Sequence, residues 1–302
     1  MFPIIPANSV TAASANDEGI FLGGDPNDSL TMTNLVSNAG VVASDVAGVG
    51  TPRANPASTQ YGGDKGIKGF GAAGGTKYAI TNLISNTGVV ASDQAAITGT
   101  ASAYRQACSF GGDQGIFGYG YDSGTTSLSY TNLISNAGVV ASDVAGVSAS
   151  GRYGLNACEY GEDTGIFAFG YLTGGILTNI SNLVSNTGVV ASDTAGVGTS
   201  RMYVGGCSYG GDKGVFGYGA NGGPQNMTNH VSNTGVVASD TAGVGTARYV
   251  LSACEYGQDK GIFGFGVHNQ SMTNLVSNAG VVASDTATVA TGRAYISACS
   301  FN

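Results

Sequence analysis

One segment recurs six times along this 302-residue chain, and no reading of the fold can ignore it. It reads NLVSNAGVVASD at 34–45 and NLISNTGVVASD at 82–93, and it returns at 132–143, 182–193, 229–240 and 274–285. Its final Asp advances by 48, 50, 50, 47 and 45 residues. A second marker is a Gly followed by Ile or Val, at Gly19, Gly66, Gly115, Gly165, Gly214 and Gly261. A third is an arginine ahead of a strand-like run, at Arg53, Arg152, Arg201, Arg248 and Arg293, with Tyr104-Arg105 displaced in the remaining unit. A fixed period of this length is the mark of repeat architectures.

Each unit offers four strand candidates. In the last full unit they are 249–256, 261–266, 273–277 and 281–284, the last two joined by Asn278-Ala279-Gly280. Asn and Gly tolerate the positive φ that tight hairpins need. No stretch keeps a helical period. One element, RAYISACSFN at 293–302, stands alone at the C-terminus, and 7–18 is a weak copy of it at the other end. These features predict an all-β fold over residues 1–302: a six-bladed β-propeller of four-stranded antiparallel blades, closed by exchange of a terminal strand. Closure hides sheet edges that an open solenoid would expose.

Composition sets the outer limits. Glycine is 51 of 302 residues without a three-residue period, which excludes collagen. Only 10% of residues are charged, but 42% are hydrophobic, enough for a packed fold. The net charge of −8 and the scattered 11 basic residues argue against nucleic-acid binding. No apolar run of about 18 residues predicts a membrane span. Residues 1–11 lack a basic region ahead of an apolar one, so no secretory leader is expected.

Catalytic chemistry finds little support. Cys108, Cys158, Cys207, Cys254 and Cys299 recur at one repeat position and read as small buried hydrophobes rather than metal ligands or disulfides. Two histidines, His230 and His268, sit at unlike positions. No H-E-x-x-H, Walker or G-x-S-x-G motif is present. Asp64, Asp113, Asp163, Asp212 and Asp259, with Asp45, Asp93, Asp143, Asp193, Asp240 and Asp285 at the last strand, read as turn-capping residues, with Ca²⁺ binding as the alternative. The recurring arginine is expected to pair with an Asp or a carbonyl between units. No enzyme, cofactor or metal is expected.

Variation is concentrated between the second and third strands. These loops read GDPNDSLTM (24–32), AAGGTKYAI (72–80), YDSGTTSLSY (121–130), YLTGGILTNIS (171–181), ANGGPQNM (220–227) and VHNQSM (267–272). As one connection repeated, they should share a face, and loops on a rigid scaffold often carry binding. Tyr78, Tyr121, Tyr130, Tyr171, Asn221 and His268 are the candidate ligand-binding residues.

The run TARYVLSACEYGQDKGIFGFG at 246–266 resembles the kelch-type propeller repeat, with its arginine before the first strand and glycines after the second. The wording NLVSNTGVVASDTAGVGTSR at 182–201 resembles repeat proteins of tailed bacteriophages and environmental viruses. That resemblance implies a virion-associated module recognising a host surface glycan or another virion protein, with possible oligomers inside a larger assembly. A purely structural decoration or tail-fibre component, and a secreted or cell-surface lectin-like protein of a microbe, remain open beside it.

Overall fold

The structure is a computed structural model that describes residues 17–25, 30–94, 99–124, 126–146 and 151–301. Each repeat supplies three principal strands. The first strands are Ala57–Tyr61, Gln106–Phe110, Asn156–Tyr160, Gly205–Tyr209, Ser252–Tyr256 and Ser297–Phe301. The second are Glu18–Leu22, Lys65–Gly69, Gln114–Gly118, Thr164–Ala168, Lys213–Gly217 and Lys260–Gly264. The third are Thr33–Val36, Thr81–Ile84, Thr131–Ile134, Ser181–Val184, Thr228–Val231 and Met272–Val276. All pair antiparallel, first to second to third. Ser297–Phe301 pairs with Glu18–Leu22, so one sheet is assembled from both ends of the described chain. Of the weak N-terminal copy at 7–18, residues 7–16 lie outside the described residues.

The all-β class stands, but the six-bladed propeller and its kelch-like blade do not. Among the described residues the strands divide over nine separate small antiparallel sheets, none closed into a barrel or curled as a propeller blade. Only the sheet holding Met272–Val276 gains a fourth strand, Thr286–Ala287. A one-residue bulge beside every third strand limits how far the fourth segment can pair, even where Thr286–Ala287 forms. Val36 faces Val42, but Thr33, three residues back, faces Val46, four residues on. The same one-residue slip recurs at Ile84/Val90 with Thr81/Gln94 and at Ile134/Val140 with Thr131/Val144. An extra residue interrupts the ladder, so the expected fourth strand survives there as single bridging pairs.

Side chains fill the bulge. Asn34 Nδ2 donates to Ala43 O (3.0 Å) and to Asp45 Oδ1 (2.8 Å), and the same pair of bonds forms at Asn82, Asn132, Asn182, Asn229 and Asn274. The asparagine oxygen in turn accepts from a buried arginine: Arg293 on Asn34, Arg53 on Asn82, Arg105 on Asn132, Arg152 on Asn182, Arg201 on Asn229 and Arg248 on Asn274. All six arginines are 0% exposed. The displaced Arg105 therefore fills the same place as the others. Five guanidiniums also lie over an aromatic ring of the preceding sheet, such as Arg105 over Phe70 at 4.1 Å and Arg293 over Phe265 at 4.4 Å. The expected arginine pairing thus occurs mainly within a unit, and the ring contact is what crosses between units. Stranding such a buried charge by removing its partner costs about 3–5 kcal/mol.

First strands of successive sheets stand beside one another in cyclic order, and Ser297–Phe301 also touches Ala57–Tyr61. Cysteine and glycine make these close approaches possible. A Cβ on Gly165 would stand 2.5 Å from Cys108 Sγ, one on Gly214 2.5 Å from Cys158 Sγ, and one on Gly66 2.7 Å from Cys299 Sγ. All five cysteines are buried and free. The Asn-x-Gly turn packs likewise: Gly280, at φ 79°, sits against Tyr209 and His230 of the preceding sheet. His230 takes the place that Leu35 or Leu83 holds elsewhere, and its Nδ1 lies 3.0 Å from the Tyr209 hydroxyl.

Two outcomes follow. Gly165→Ala drives a methyl into Cys108 Sγ and lowers stability in urea unfolding by about 1–3 kcal/mol, and adding Cys108→Ala recovers part of that loss. The second concerns acid. Burial raises the carboxyls of Asp45, Asp93, Asp143, Asp240 and Asp285, but bonds from Thr and Asn and the nearby Arg outweigh it and hold them below the usual value. A depressed carboxyl stabilises the fold above its unfolded pKa, and that contribution is lost as pH falls through the folded one. Melting temperature should fall below about pH 4, less so in Asp285→Asn measured against its own neutral-pH value.

Candidate functional site

The variable loops do not hang free. Each folds back beside the segment that carries the arginine: Asp25 bridges Ala294, Ala54 bridges Ala72, Tyr121 pairs with Ala103, Tyr153 with Tyr171, and Met202 with Ala220. Val267 N donates to Tyr249 O at 3.1 Å in the remaining unit. The loops therefore meet equivalent places in all six units.

Beside those pairings lies a set of left-handed residues: Asn55 (φ 54°), Tyr104 (57°), Gly154 (62°), Tyr203 (57°), Val250 (50°) and Tyr295 (57°). Their backbones link from unit to unit. Asn55 N donates to Tyr295 O, Tyr104 N to Asn55 O, Tyr203 N to Gly154 O, Val250 N to Tyr203 O and Tyr295 N to Val250 O. A β-branched residue such as Val250 is strained at this φ, and only the surrounding bonds hold it there.

That backbone positions a connected group of tyrosines. Tyr153 is the hub, with ring centroids 5.0 Å from Tyr121, 5.4 Å from Tyr171 and 5.9 Å from Tyr104. Tyr104 continues to Tyr203 at 5.8 Å, and Tyr203 stacks on Tyr249 at 6.3 Å. Lys77 Nζ lies 4.2 Å over the Tyr121 ring. All are half-buried, so each keeps part of its ring in solvent. Burial, reinforced by neighbouring phenols, raises the hydroxyl pKa of Tyr104, Tyr153 and Tyr203, which stay neutral donors.

The six expected ligand-binding residues separate here. Tyr121 and Tyr171 join the cluster. Tyr78 bridges Ser102 through its backbone and makes none of the ring contacts. Tyr130 leads into Thr131–Ile134, 38% exposed and likewise outside the ring contacts. Asn221 is exposed, its N–H donating to Gly223 O at 3.0 Å. His268 is exposed beside Asn269, both at positive φ. The residues that hold the cluster together, Tyr104, Tyr153, Tyr203 and Tyr249, sit next to the marker arginines and read as scaffold. Their recurrence one to two residues from four of the six arginines was the available signal.

A second polar site lies among the first strands. Their residues line a cavity of about 60 Å³. The fourth residue of each is Gln60, Ser109, Glu159, Ser208, Glu255 and Ser300, all on its wall. Gln60 Nε2 donates to Glu159 Oε2 at 3.0 Å and to Ser109 Oγ at 3.2 Å, while Ser109 Oγ donates to the same carboxylate oxygen. Burial pushes the Glu159 carboxyl up to about 7, against the bonds from Ser109 and Gln60.

The aspartates weighed for Ca²⁺ are engaged within the protein: Asp64, Asp113, Asp163, Asp212 and Asp259 each accept from an asparagine of the same unit's second turn, at 3.0–3.2 Å. Among the described residues no group of three or more His, Cys, Asp or Glu is placed to hold a metal ion. Comparison with protein-family models and with the curated proteins gives no match.

Because Glu159 holds its proton more tightly when folded, its contribution to stability is complete below about pH 4.5 and lost as pH rises through about 7. Glu159→Gln should remove that dependence and be the more stable protein above pH 7, as read from melting temperatures across pH 4–9.

Proposed function

We propose that this protein is a non-enzymatic binding module whose ligand meets the tyrosine cluster and the loops around it. The observation that carries the reading is the chain of ring contacts centred on Tyr153. Tyrosine offers a large, rigid, amphipathic contact at low conformational cost, with a hydroxyl for hydrogen bonding. A sugar suits such a surface: its C–H face lies on the ring, and its hydroxyls accept from phenols and Asn221 and donate to Asp122 or to loop carbonyls. A host surface glycan is the ligand proposed for it, with a virion as location.

A structural role in a particle is the second reading, favoured by the exposed valines. Val41, Val89, Val139, Val189, Val236 and Val281 repeat at one position and are each 64–66% exposed. Exposed apolar groups kept in register suit burial against neighbouring proteins.

A glycan array with the full chain, followed by titration calorimetry of the hits, tests the first reading. Tyr153→Ala and Tyr121→Ala should weaken binding tenfold or more, about 1.4 kcal/mol, and Tyr130→Ala should leave it nearly unchanged. Absence of binding to any glycan or host envelope would count against recognition, and mass spectrometry of purified particles would then decide the structural role.

A further inference from the structure

We propose that the contact between the sheet of Glu18–Leu22 and the sheet of Lys65–Gly69 is a proton-operated seam: when Lys68 takes up a proton the two sheets part there, while the other contacts between sheets stay shut. Geometry singles this contact out. At five others a second-strand ring meets a ring of the preceding sheet, with centroids 5.0–5.5 Å apart. Here Lys68 stands in place of one ring and Gly23 in place of the other, and a Cβ on Gly23 would lie 3.6 Å from Lys68 Nζ. Lys68 is 2% exposed. Within its own sheet it is paired with Ser58 and Asn82, and the Ser58 hydroxyl meets that of Ser297, from the neighbouring sheet, at 2.7 Å. A lysine and two hydroxyls therefore stand where apolar packing holds the other contacts.

The charges around Lys68 make this packing depend on its proton. Arg53, 0% exposed, is the one marker arginine outside the five that lie over a ring. Two cationic groups thus share the region that a ring pair fills elsewhere. Asp93, 3.6 Å from the Arg53 guanidinium, is the acid that opposes them, and it already accepts from Thr51 and Asn82. The sheet of Glu18–Leu22 presents Gly23 and Ser297, neither of which titrates. Among the described residues no carboxylate lies within ion-pair reach of Lys68. Burial, with the Arg53 charge adding to it, brings its amine down to about 7. A buried ammonium without a partner costs free energy that the neutral amine does not. Once the seam parts and water reaches it, the amine returns to the usual value of about 10.4. The parted form binds the proton more tightly, so parting grows as pH falls from about 10 to about 7 and levels off below. Glu159 acts with the opposite sign, since its contribution is lost as pH rises through about 7.

The cysteines supply the probe, because each is shut into one contact between sheets. Cys299 Sγ lies at this seam, 2.7 Å from a Cβ built on Gly66, while Cys207 and Cys254 lie equally close to Gly261 and Gly19 at other contacts, each at 2.6 Å. All are buried and free, so a thiol reagent reaches each only when its own contact parts. The test is iodoacetamide labelling of the full chain under native conditions from about pH 7.5 to about pH 9.5, read cysteine by cysteine by mass spectrometry. The ratio of the Cys299 rate to the Cys207 rate cancels the thiolate fraction common to both. That ratio should exceed one and should rise about tenfold or more as pH falls across this range. In Lys68→Met, which keeps the length and removes the charge, it should be lower and flat with pH, with folding checked by circular dichroism. A ratio in the wild type that does not change with pH overturns the proposal, as do five thiols that rise together or an unchanged pH slope in Lys68→Met. The wild-type series decides by itself if the variant fails to fold. Glycan binding plays no part in the readout, so failure here leaves the tyrosine face untouched.

Discussion

A guanidinium group with no access to water is stable only where most of its donors are met, and six such groups fix the form of every repeat. Arg248 donates to the Phe265 carbonyl at the end of the second strand, to Asn274 on the third and to the Thr246 carbonyl, with Asp285 3.8 Å away. Those acceptors come from every part of the unit, so none can drift without stranding the charge. The Tyr218 ring beneath Arg248 comes from the preceding sheet, 4.2 Å away. Five of the six units are therefore complete only when their neighbour is present. The arginine explains at once why Asn, Asp and Thr recur so strictly and why the third segment bulges: the asparagine and aspartate that serve the arginine occupy the space where a regular ladder would run.

Close approach between sheets is the complementary constraint. Glycine at the second-strand marker leaves room for a sulfur, and glycine in the Asn-x-Gly turn leaves room for an aromatic ring. The exceptions are informative. Lys68 stands where Phe117 and Phe167 stand in other units, only 2% exposed, and the sheet opposite supplies Gly23 instead of an aromatic partner. Burial, with the Arg53 charge adding to it, pulls the Lys68 ammonium down to about 7. The aromatic edge-to-face pairs found at the other five contacts, at 5.0–5.5 Å, are missing there. This is the contact at which the sheet built from both chain ends meets its neighbour.

The loops were legible because they break the repeat, and two of their residues, Tyr121 and Tyr171, do join one cluster. Their common partner was not legible. Tyr153 lies beside Arg152 in a segment that reads as framework, and nothing in the linear order shows that a left-handed residue beside it turns the ring toward the loops. The Glu159 cavity was less legible still. In the sequence Gln60, Ser109 and Glu159 are single residues in three similar strands about 50 positions apart. They become one hydrogen-bonded group only because those strands stand side by side.

The sequence by itself determined the number of units, the turns between strands, the burial of the cysteines and the all-β class, since each rests on local preference or on a pattern repeated along the chain. Tertiary structure alone decided three things. The recurring Asp and Asn close a bulge around a buried charge and do not extend a blade, because a side chain's partner is chosen by distance in space. The C-terminal strand completes the sheet that Glu18–Leu22 begins, because an unpaired strand edge takes the nearest matching backbone. The tyrosines and Glu159 acquire their neighbours from other repeats, and a periodic sequence cannot say which of its similar units will touch.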